Sequence, residues 1–253
     1  MSEAEGTGRP HRGPAGGPRP SSDLRQRASA VLPEVDRRLR DAYHTASLGN
    51  KQDPLDELIY IQLSIRTRES AYTDIYSALR QLIGEDWGTL LRLPPEEVLR
   101  ALHAGGMAAV KLNRLRAQIE GILAAFGRVS LDPLKPLSTS EAEAFLRSLP
   151  GVGPKTARCV LMYSLGREVF PVDSHCRRVL ARLGFLSFEI DRKAADDYLQ
   201  DLVPPAIRHT LHVNLVHHGR ELCLPVNPRC GECMLLDLCP TGLSRVNRSP
   251  EQG

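Results

Sequence analysis

The stretch Leu149–Ala157, which reads LPGVGPKTA, lies between two segments whose apolar residues recur with helical spacing. Gly151 and Gly153 permit a tight turn, because glycine tolerates positive φ and leaves neighbouring backbone N–H groups uncovered. Pro154 suits the first position of a following helix, where its missing N–H removes no hydrogen bond. The stretch therefore predicts two helices joined by a hairpin, the second of which presents its positive N-terminal end to solvent.

A hairpin of this kind is a binding surface for phosphate. Amide groups beside a helix N-terminus bind phosphate oxygens without reading the base sequence. An ordinary turn between helices is the alternative, and two spaced glycines alone would favour it. The added prolines and the early Lys155 make the pattern more specific, and they favour a nucleic-acid backbone as the ligand.

Most of the remaining chain has the pattern of short α-helices. Ser140 with Glu143 has the spacing of a capping box, which would begin a helix ending near Leu149. No stretch alternates as a strand would, so the predicted fold class is all-α. Other helices are expected to start at Ser22, at Asp53-Pro54, at Pro94-Pro95 and, after the break Gly105-Gly106, at Met107.

Four of the six cysteines lie close together near the C-terminus, in the order C-x6-C-x2-C-x5-C: Cys223, Cys230, Cys233 and Cys239. Disulfides are not expected, because the N-terminal residues lack a secretory signal. Structural zinc sites usually contain two CxxC pairs, and this run has one. A cubane cluster tolerates wider gaps, since each thiolate binds a different iron. The spacing favours [4Fe–4S], with structural zinc as the alternative.

The composition is that of a folded protein without a membrane-spanning segment, and it does not identify the function. The 253 residues are 42% hydrophobic, which suffices for one large domain or two smaller ones. Residues 1–21 are rich in Gly and Pro and are predicted to be a disordered tail. No apolar run is long enough to span a membrane, so no membrane partner is expected. The protein is expected to be cytoplasmic, associated with the nucleoid if it is bacterial, and monomeric.

The net charge of +3 does not by itself identify a nucleic-acid-binding protein. Local groups of basic residues are more informative, because they would form a basic strip if they shared one face. These groups are Lys111, Arg114 and Arg116; Lys155 and Arg158; and Arg177, Arg178 and Arg182.

A third motif, PVDSH at residues 171–175, follows the hairpin. Taken alone, Asp173 would be interpreted as a helix N-cap. With LPGVGPKTA before it and HGRELCLPVNPRCGECMLLDLC at residues 218–239 after it, the chain resembles the endonuclease III branch of the helix-hairpin-helix DNA glycosylases. The resemblance covers residues 50–240 and is strongest from Leu149 to Cys239.

This resemblance implies a two-lobed helical fold with DNA and an extruded base held in the cleft. One lobe would be a helical barrel at residues 53–167, and the other would combine residues 22–52 with 168–253. Lys155 would be the nucleophile and Asp173 the second essential group, and the four cysteines would hold [4Fe–4S]. Contacts to DNA are expected from Gly151, Val152, Gly153, Thr156 and Arg229.

The implied activity is that of a bifunctional glycosylase and abasic-site lyase, which acts on double-stranded DNA with damaged bases or abasic sites. It would excise oxidised pyrimidines and cut the strand by β-elimination. Lys155 lies in the first turn of its helix, where the helix dipole and burial disfavour the ammonium form. The Asp173 carboxylate opposes that effect, so the net direction of the pKa shift stays open.

The chain departs from the family at the residues that fill the gap left by an extruded nucleotide. The family commonly has glutamine after L-S-A, and here the stretch is Leu63-Ser64-Ile65-Arg66. The second wedge aligns with Met107-Ala108-Ala109, which offers only Met107. We therefore expect weak excision from well-paired duplex, or a changed lesion preference.

Two other functions share parts of this pattern. The adenine-excising branch has the hairpin, the aspartate and the cluster, but it lacks the hairpin lysine. A non-catalytic or redox-sensing DNA-binding iron–sulfur protein would keep the hairpin and the cluster. The presence of both Lys155 and Asp173 favours an enzyme of the lysine-dependent kind.

The other two cysteines, Cys159 and Cys176, are interpreted as buried packing residues. The histidines at positions 209, 212, 217 and 218 are interpreted as packing or surface residues.

Overall fold

The computed structural model describes residues 18–248, and every regular element in that part of the chain is helical, which confirms the all-α prediction. The predicted disordered tail, residues 1–21, lies almost entirely outside the described residues. No helix between residues 18 and 248 has the length and apolar character needed to cross a bilayer.

Eleven α-helices occur in the described part of the chain. They are α1 (Ser22–Tyr43), α2 (Pro54–Ser64), α3 (Glu69–Ile83), α4 (Pro95–Leu102), α5 (Ala108–Phe126), α6 (Thr139–Ser148), α7 (Pro154–Tyr163), α8 (Ser174–Arg182), α9 (Arg192–Leu202), α10 (Arg208–Glu221) and α11 (Pro240–Asn247). Short 3₁₀ turns join several of them, at Trp87–Leu91, His103–Gly105, Asp132–Leu134, Pro205–Ile207, Cys230–Glu232 and Leu236–Leu238.

Side-chain caps define several of the helix starts. Asp53 caps α2 as predicted, because its carboxylate accepts from the N–H groups of Leu55 and Asp56 at 2.9 Å. The cap of α1 is Ser21, one residue before the predicted Ser22.

The predicted capping box at the start of α6 was misplaced by two residues. Ser138 Oγ accepts from Glu141 N at 3.2 Å, and Glu141 Oε2 accepts from Ser138 N at 2.9 Å. Two overlapping S-x-x-E patterns occur here, and only the first stands outside the helix. The carboxylate of Glu143 instead lies 3.4 Å from Nε of Arg158.

Two apolar cores organise the helices. The first contains buried residues from Leu55 to Val169, drawn from α2 to α7. The second combines Ala28–Leu39 of α1 with residues from Phe170 to Leu235. Its largest buried side chains, Phe170 and Phe185, are fully covered. Burial of each such ring stabilises the fold by roughly 3 kcal/mol at most.

The second core joins distant parts of the chain, because α1 packs beside α9 and α10. Arg38 of α1 extends this contact to the cysteine-containing segment. Its guanidinium donates to Met234 O at 3.0 Å and to Asp237 Oδ1 at 2.6 Å. Residues of α2 and α7, beside the first core, and of α8 and α10, beside the second, line a common cavity.

Candidate active site

The hairpin between α6 and α7 forms as the sequence predicted, with one difference. Gly151 has φ +74°, whereas Gly153 has φ −95°, so only the first glycine needs the left-handed region. A Cβ at Gly151 would collide with the side chain of Arg114, which lies directly over the turn. Pro154 is the first residue of α7, and no side chain of the described residues caps this helix start.

Two buried glutamines fix the orientation of the hairpin. Gln62 of α2 donates to Gly151 O at 3.2 Å, and Gln118 of α5 donates to Pro150 O at 2.7 Å. These bonds turn the carbonyl groups inward, and Gly151 and Gly153 are exposed on the opposite face. The side chains of Val152 and Thr156 are buried, so any contact of these two residues with a ligand involves their backbone.

A cavity of about 390 Å³ opens where the two cores meet. Lys155, at the second position of α7, and Asp173, directly before α8, both line it. The other lining side chains include Tyr60 and Ser64 of α2, Cys159 and Tyr163 of α7, and His212 and Arg220 of α10. The structure thus brings together the two residues that the motifs singled out, 18 positions apart in sequence.

Lys155 is half-buried, and its ammonium group faces Cys159 and Asp173. Burial lowers the pKa of Lys155, but the Cys159 sulfur and the Asp173 carboxylate outweigh it, so the pKa lies above its ordinary value. The direction of this pKa shift could not be predicted from the sequence. In the free protein Lys155 is an ammonium ion at neutral pH, and it needs to lose a proton before it can act as a nucleophile.

Asp173 is held by the helix that it precedes. Its Oδ1 accepts from Cys176 N at 2.7 Å, which makes it the N-cap of α8. Burial raises the pKa of Asp173, but the imidazoles of His212 and His175 and this backbone N–H outweigh it, so the pKa is lowered. Asp173 is therefore a carboxylate with one oxygen fixed at the edge of the cavity.

Two residues of the site were missed at the level of sequence. Glu57 of α2 is fully buried, accepts from Lys51 N at 2.7 Å and from Asn50 Nδ2, and interacts electrostatically with Lys155. Burial raises the pKa of Glu57 to about 7. The signal that could have identified it is an acidic residue on an otherwise apolar helix face. His212 was assigned to packing, and it also lines the cavity, with a pKa lowered by burial to about 4.

Most members of the three basic groups bind carbonyl groups or carboxylates of the protein itself. Arg178, for example, donates to Cys223 O and Gly219 O at 2.9 and 2.8 Å. The same applies to Lys111, Arg116, Arg158, Arg177 and Arg182. Positive charge at the cavity is therefore supplied chiefly by Lys155 and by Arg220, which pairs with Glu69 at 2.7 Å.

The two predicted wedge residues lie on exposed turns beside the first core. Arg66 is exposed and follows Ser64, which lines the cavity. Met107 is 52% exposed and directly precedes α5. Arg229, predicted to contact DNA, is half-exposed, and its guanidinium donates to Glu221 O at 2.8 Å and to Glu232 Oε2 at 3.1 Å.

The four clustered cysteines line one pocket, next to apolar side chains such as Val179 and Leu235. All six cysteines of the chain are free. N–H donors reach three of the sulfurs, from Arg182 to Cys223 at 3.2 Å, Leu235 N to Cys233 at 3.4 Å and Gly242 N to Cys239 at 3.3 Å.

This donor set fits a thiolate-bound metal cluster. Hydrogen bonds to sulfur stabilise thiolates, and burial raises the pKa of Cys233 to about 11 and also raises that of Cys239. A strongly electrophilic metal would bring such sulfurs to the thiolate form at neutral pH. Within residues 18–248, no group of three or more His, Cys, Asp and Glu side chains is arranged to hold a single metal ion.

Relatives of known name cover most of the chain. Endonuclease III of Thermotoga maritima is 32% identical over 192 residues, 74% of this chain and 83% of that protein. Endonuclease III of Synechocystis sp. is 29% identical over 224 residues, 88% of this chain and 96% of that protein. Endonuclease III of Sulfolobus acidocaldarius is 26% identical over 199 residues, 78% and 86% of the two chains. No family model matches the sequence.

Solved structures share the fold at lower identity. An endonuclease III in non-covalent complex with DNA superposes with a TM-score of 0.73 at 23% identity, covering 88% of this chain and 98% of that one. A thermostable thymine-DNA glycosylase superposes with a TM-score of 0.72 at 19% identity, covering 87% and 98%. The all-helical fold of this chain is thus found in DNA glycosylases.

Proposed function

Because this chain belongs to the endonuclease III family of DNA glycosylases, we propose that it is a bifunctional enzyme of base excision repair. It releases oxidised pyrimidines from double-stranded DNA and cleaves the strand 3′ to the resulting abasic site. The observation that supports this proposal most directly is the shared placement of Lys155 and Asp173 in one cavity. A cavity of about 390 Å³ lies within the usual range for small-ligand sites and accommodates an extruded base and its sugar.

The proposed chemistry starts with extrusion of the damaged nucleotide, because its sugar C1′ cannot be reached within the stack. Lys155 loses a proton and its Nζ attacks C1′, while the electrons of the glycosidic bond leave with the base, which takes up a proton. Ring opening of the sugar gives an imine between Nζ and C1′. Loss of a C2′ proton then expels the 3′ phosphate by β-elimination.

Asp173 is proposed to receive the Lys155 proton or to stabilise the positive charge that develops on the sugar. Its lowered pKa keeps it ionised, which suits electrostatic stabilisation, and its cap bond to Cys176 N fixes its direction. Glu57 has a pKa of about 7 and interacts electrostatically with Lys155, so it is a second group that can accept the proton that Lys155 loses.

Binding of DNA is proposed to centre on the hairpin. The amide groups of Gly153, Lys155 and Thr156 lie at the uncapped start of α7, where the helix dipole favours a phosphate. Gln62 and Gln118 stabilise this surface from inside, since they bind the carbonyl groups of Gly151 and Pro150. Arg229, Arg66 and Met107 are retained as proposed contacts to DNA.

We propose that Cys223, Cys230, Cys233 and Cys239 hold a [4Fe–4S] cluster. When bound, the cluster supplies four iron–thiolate bonds that close the segment between α10 and α11. Arg229 N already donates to Leu222 O at 3.0 Å and closes the loop that separates the first two cysteines. We also propose that the two apolar cores are those of the two lobes, residues 53–167 and residues 22–52 with 168–253.

Reductive trapping with borohydride tests the proposed activity. Full-length protein is incubated with duplexes that carry an oxidised pyrimidine or an abasic site, and base release, strand cleavage and covalent adduct are scored separately. The wild type is expected to form an adduct, and Lys155→Ala is expected to lose it while DNA binding largely persists. Lys135→Ala is the matched control, because Lys135 is an exposed lysine paired with Asp132.

Three results would contradict the proposal. Adduct formation that persists in Lys155→Ala would place the nucleophile elsewhere. Base release without any adduct would indicate a glycosylase that lacks lyase activity. DNA binding without release, cleavage or adduct on every duplex would instead support a non-catalytic iron–sulfur protein.

A further inference from the structure

Two turns beside the first core contain non-glycine residues in the left-handed backbone region. Arg66 has φ +54° and Met107 has φ +52°. Side chains rarely adopt this conformation, because Cβ approaches the neighbouring carbonyl oxygen. Such residues persist where the surrounding structure holds them in place. Some group must therefore hold each of these two exposed turns.

One buried side chain, that of Lys111, binds both turns. Lys111 lies in the first turn of α5 and is only 6% exposed. Its Nζ donates to Leu63 O at 3.1 Å on the side of Arg66, and to Gly105 O at 2.9 Å on the side of Met107. Three donors on a single nitrogen thus connect the end of α2 with the start of α5.

Thr67 completes this connection. Its Oγ1 accepts from Lys111 Nζ at 2.5 Å and lies 3.0 Å from Gly105 O, to which its hydroxyl can donate. Gly105 has no room for a side chain, because a Cβ there would lie 2.6 Å from Ile75 Cδ1 and 3.0 Å from Lys111 Nζ. The close approach of the two turns therefore depends on Gly105 as well as on the ammonium group.

The surroundings of Lys111 identify it as an internal connector and not as a contact to DNA. All three acceptors of its Nζ are neutral oxygens, and burial lowers its pKa. Its backbone N–H also donates to Met107 O at 3.0 Å. A cation that is covered in this way cannot bind a phosphate, and its hydrogen bonds serve the geometry of the two turns.

We propose that Lys111 is a positioning residue for DNA distortion, which holds Arg66 and Met107 at a fixed separation so that both side chains enter the duplex together. This inference rests on the proposed function, because it assumes that the two residues fill the gap beside an extruded nucleotide. It assigns a role to a lysine that the sequence suggested as part of a basic surface.

The test uses full-length protein and a duplex in which 2-aminopurine stands opposite a tetrahydrofuran abasic analogue. Unstacking of the 2-aminopurine by inserted side chains raises its fluorescence, whether or not any base is excised. At saturating protein the wild type is expected to raise the fluorescence, and Lys111→Met, which keeps the stem but loses the donors, is expected to lose most of the rise. Thr67→Val is the milder second variant and is expected to lose part of it.

Single-turnover excision gives a second measurement on the same variants. For Lys111→Met we expect a loss of roughly tenfold to a hundredfold on a paired duplex, because misplacement of inserted groups has effects of that size. Excision from an unpaired bubble is expected to stay close to that of the wild type. Arg116→Met is the matched control, since Arg116 is also on α5 and binds Leu90 O and Leu93 O, away from both turns.

Each other outcome is decisive. Unchanged fluorescence in both Lys111→Met and Thr67→Val overturns the inference, and so does a wild type that binds the duplex without any rise. Equal losses on paired and unpaired substrates would show general damage to the fold and would also overturn it. A wild type that raises the fluorescence but excises no base contradicts the proposed function alone.

Discussion

The thiol of Cys159 lies one helical turn from Lys155 on α7 and faces its ammonium group. Cys159 is buried, and burial raises its pKa to about 11, so at neutral pH it is a neutral thiol beside the cation. Its sulfur is one of the groups that hold the pKa of Lys155 above the ordinary value, against the effect of burial. A residue expected only to pack is thus in contact with the proposed nucleophile.

We predict that Cys159→Ala shifts the pH dependence of imine formation to lower pH. Removal of the sulfur takes away one of the groups that raise the pKa of Lys155, while Asp173 and Glu57 still raise it and burial still lowers it, so the pKa should fall and a larger fraction of the amine should be neutral at a given pH. The measurement is the rate of adduct formation at a preformed abasic site from pH 6 to pH 9. Cys159→Ser keeps a hydrogen-bond acceptor and should shift less, and a profile that is the same for all three proteins would contradict this account.

Asp173→Asn should slow excision by about a hundredfold or more, the size typical of a lost charge or proton acceptor at a reacting centre. The amide oxygen of asparagine can still accept from Cys176 N, so α8 keeps its cap and the melting temperature should change little. Because Asp173 raises the pKa of Lys155, the remaining activity should also have its pH profile shifted downward. Asp191→Asn, which alters the cap of α9, is the control. Equal single-turnover rates for the wild type and Asp173→Asn would exclude this role.

The proposed catalytic pair was accessible from sequence because each residue belongs to a short motif with a local conformation. Lys155 follows a turn dictated by Gly151 and Pro154, and Asp173 caps the helix that begins directly after it. Residue type and spacing were therefore sufficient to place them on α7 and before α8. Their approach to each other depends on how the two cores pack, and that was supplied by the resemblance to a known family.

The partners of the basic residues could not be predicted in this way. Two acceptors of Arg178 are carbonyl groups 41 and 45 positions away, and backbone carbonyls carry no residue-specific signal. The basic groups in the sequence did not indicate these hydrogen bonds within the protein. The cap of α6 could not be predicted uniquely either. Two overlapping S-x-x-E patterns fit a capping box, and the structure uses the first, in which Ser138 precedes the helix.

Glu57→Gln should change the pH dependence of stability. The pKa of Glu57 is about 7 in the fold and 4.5 in the ordinary state, so the folded protein binds an extra proton between these values. Stability from Glu57 is therefore present below about pH 4.5 and is lost as pH rises through 7. The free energy of unfolding of the variant, relative to the wild type, should rise by about 3 kcal/mol between pH 4.5 and pH 8.

Denaturant unfolding at a series of pH values measures this difference. A constant offset between the two proteins is expected as well, because glutamine cannot accept from both Asn50 and Lys51 as the carboxyl group does. Only the change of this difference with pH reports the titration of Glu57. Parallel curves for the two proteins would show that Glu57 titrates normally.

The cysteine segment leads to a prediction about composition. Purified protein should contain iron and sulfide in about equal amounts, about four of each per chain, and should be yellow-brown. Cys230→Ser should lose most of the iron and destabilise the segment between α10 and α11, while Cys176→Ser, at a buried cysteine outside the set, should keep the iron. Colourless folded protein with one zinc ion per chain would support the alternative of a structural zinc site.

Arg66→Gln tests whether the departure from the family at this turn sets the substrate preference. Arg66 is exposed on a left-handed turn next to the cavity, and a longer, charged side chain is a poorer filler for the gap left by an extruded nucleotide. Extrusion requires a few kcal/mol, and inserted side chains recover part of it. The wild type should therefore excise an oxidised pyrimidine more slowly from paired duplex than from a mismatched or partly unpaired one.

In Arg66→Gln this difference should shrink, by roughly tenfold if the new side chain recovers about 1.4 kcal/mol of the extrusion energy. Cleavage at a preformed abasic site should change little, because no base remains to be extruded there. Single-turnover excision of thymine glycol from paired and unpaired substrates measures both quantities. Arg68→Gln is the matched control, since Arg68 is an exposed arginine directly before α3. If Arg66→Gln leaves the rates on both substrates unchanged, and the wild type already prefers paired duplex, the arginine does not limit extrusion.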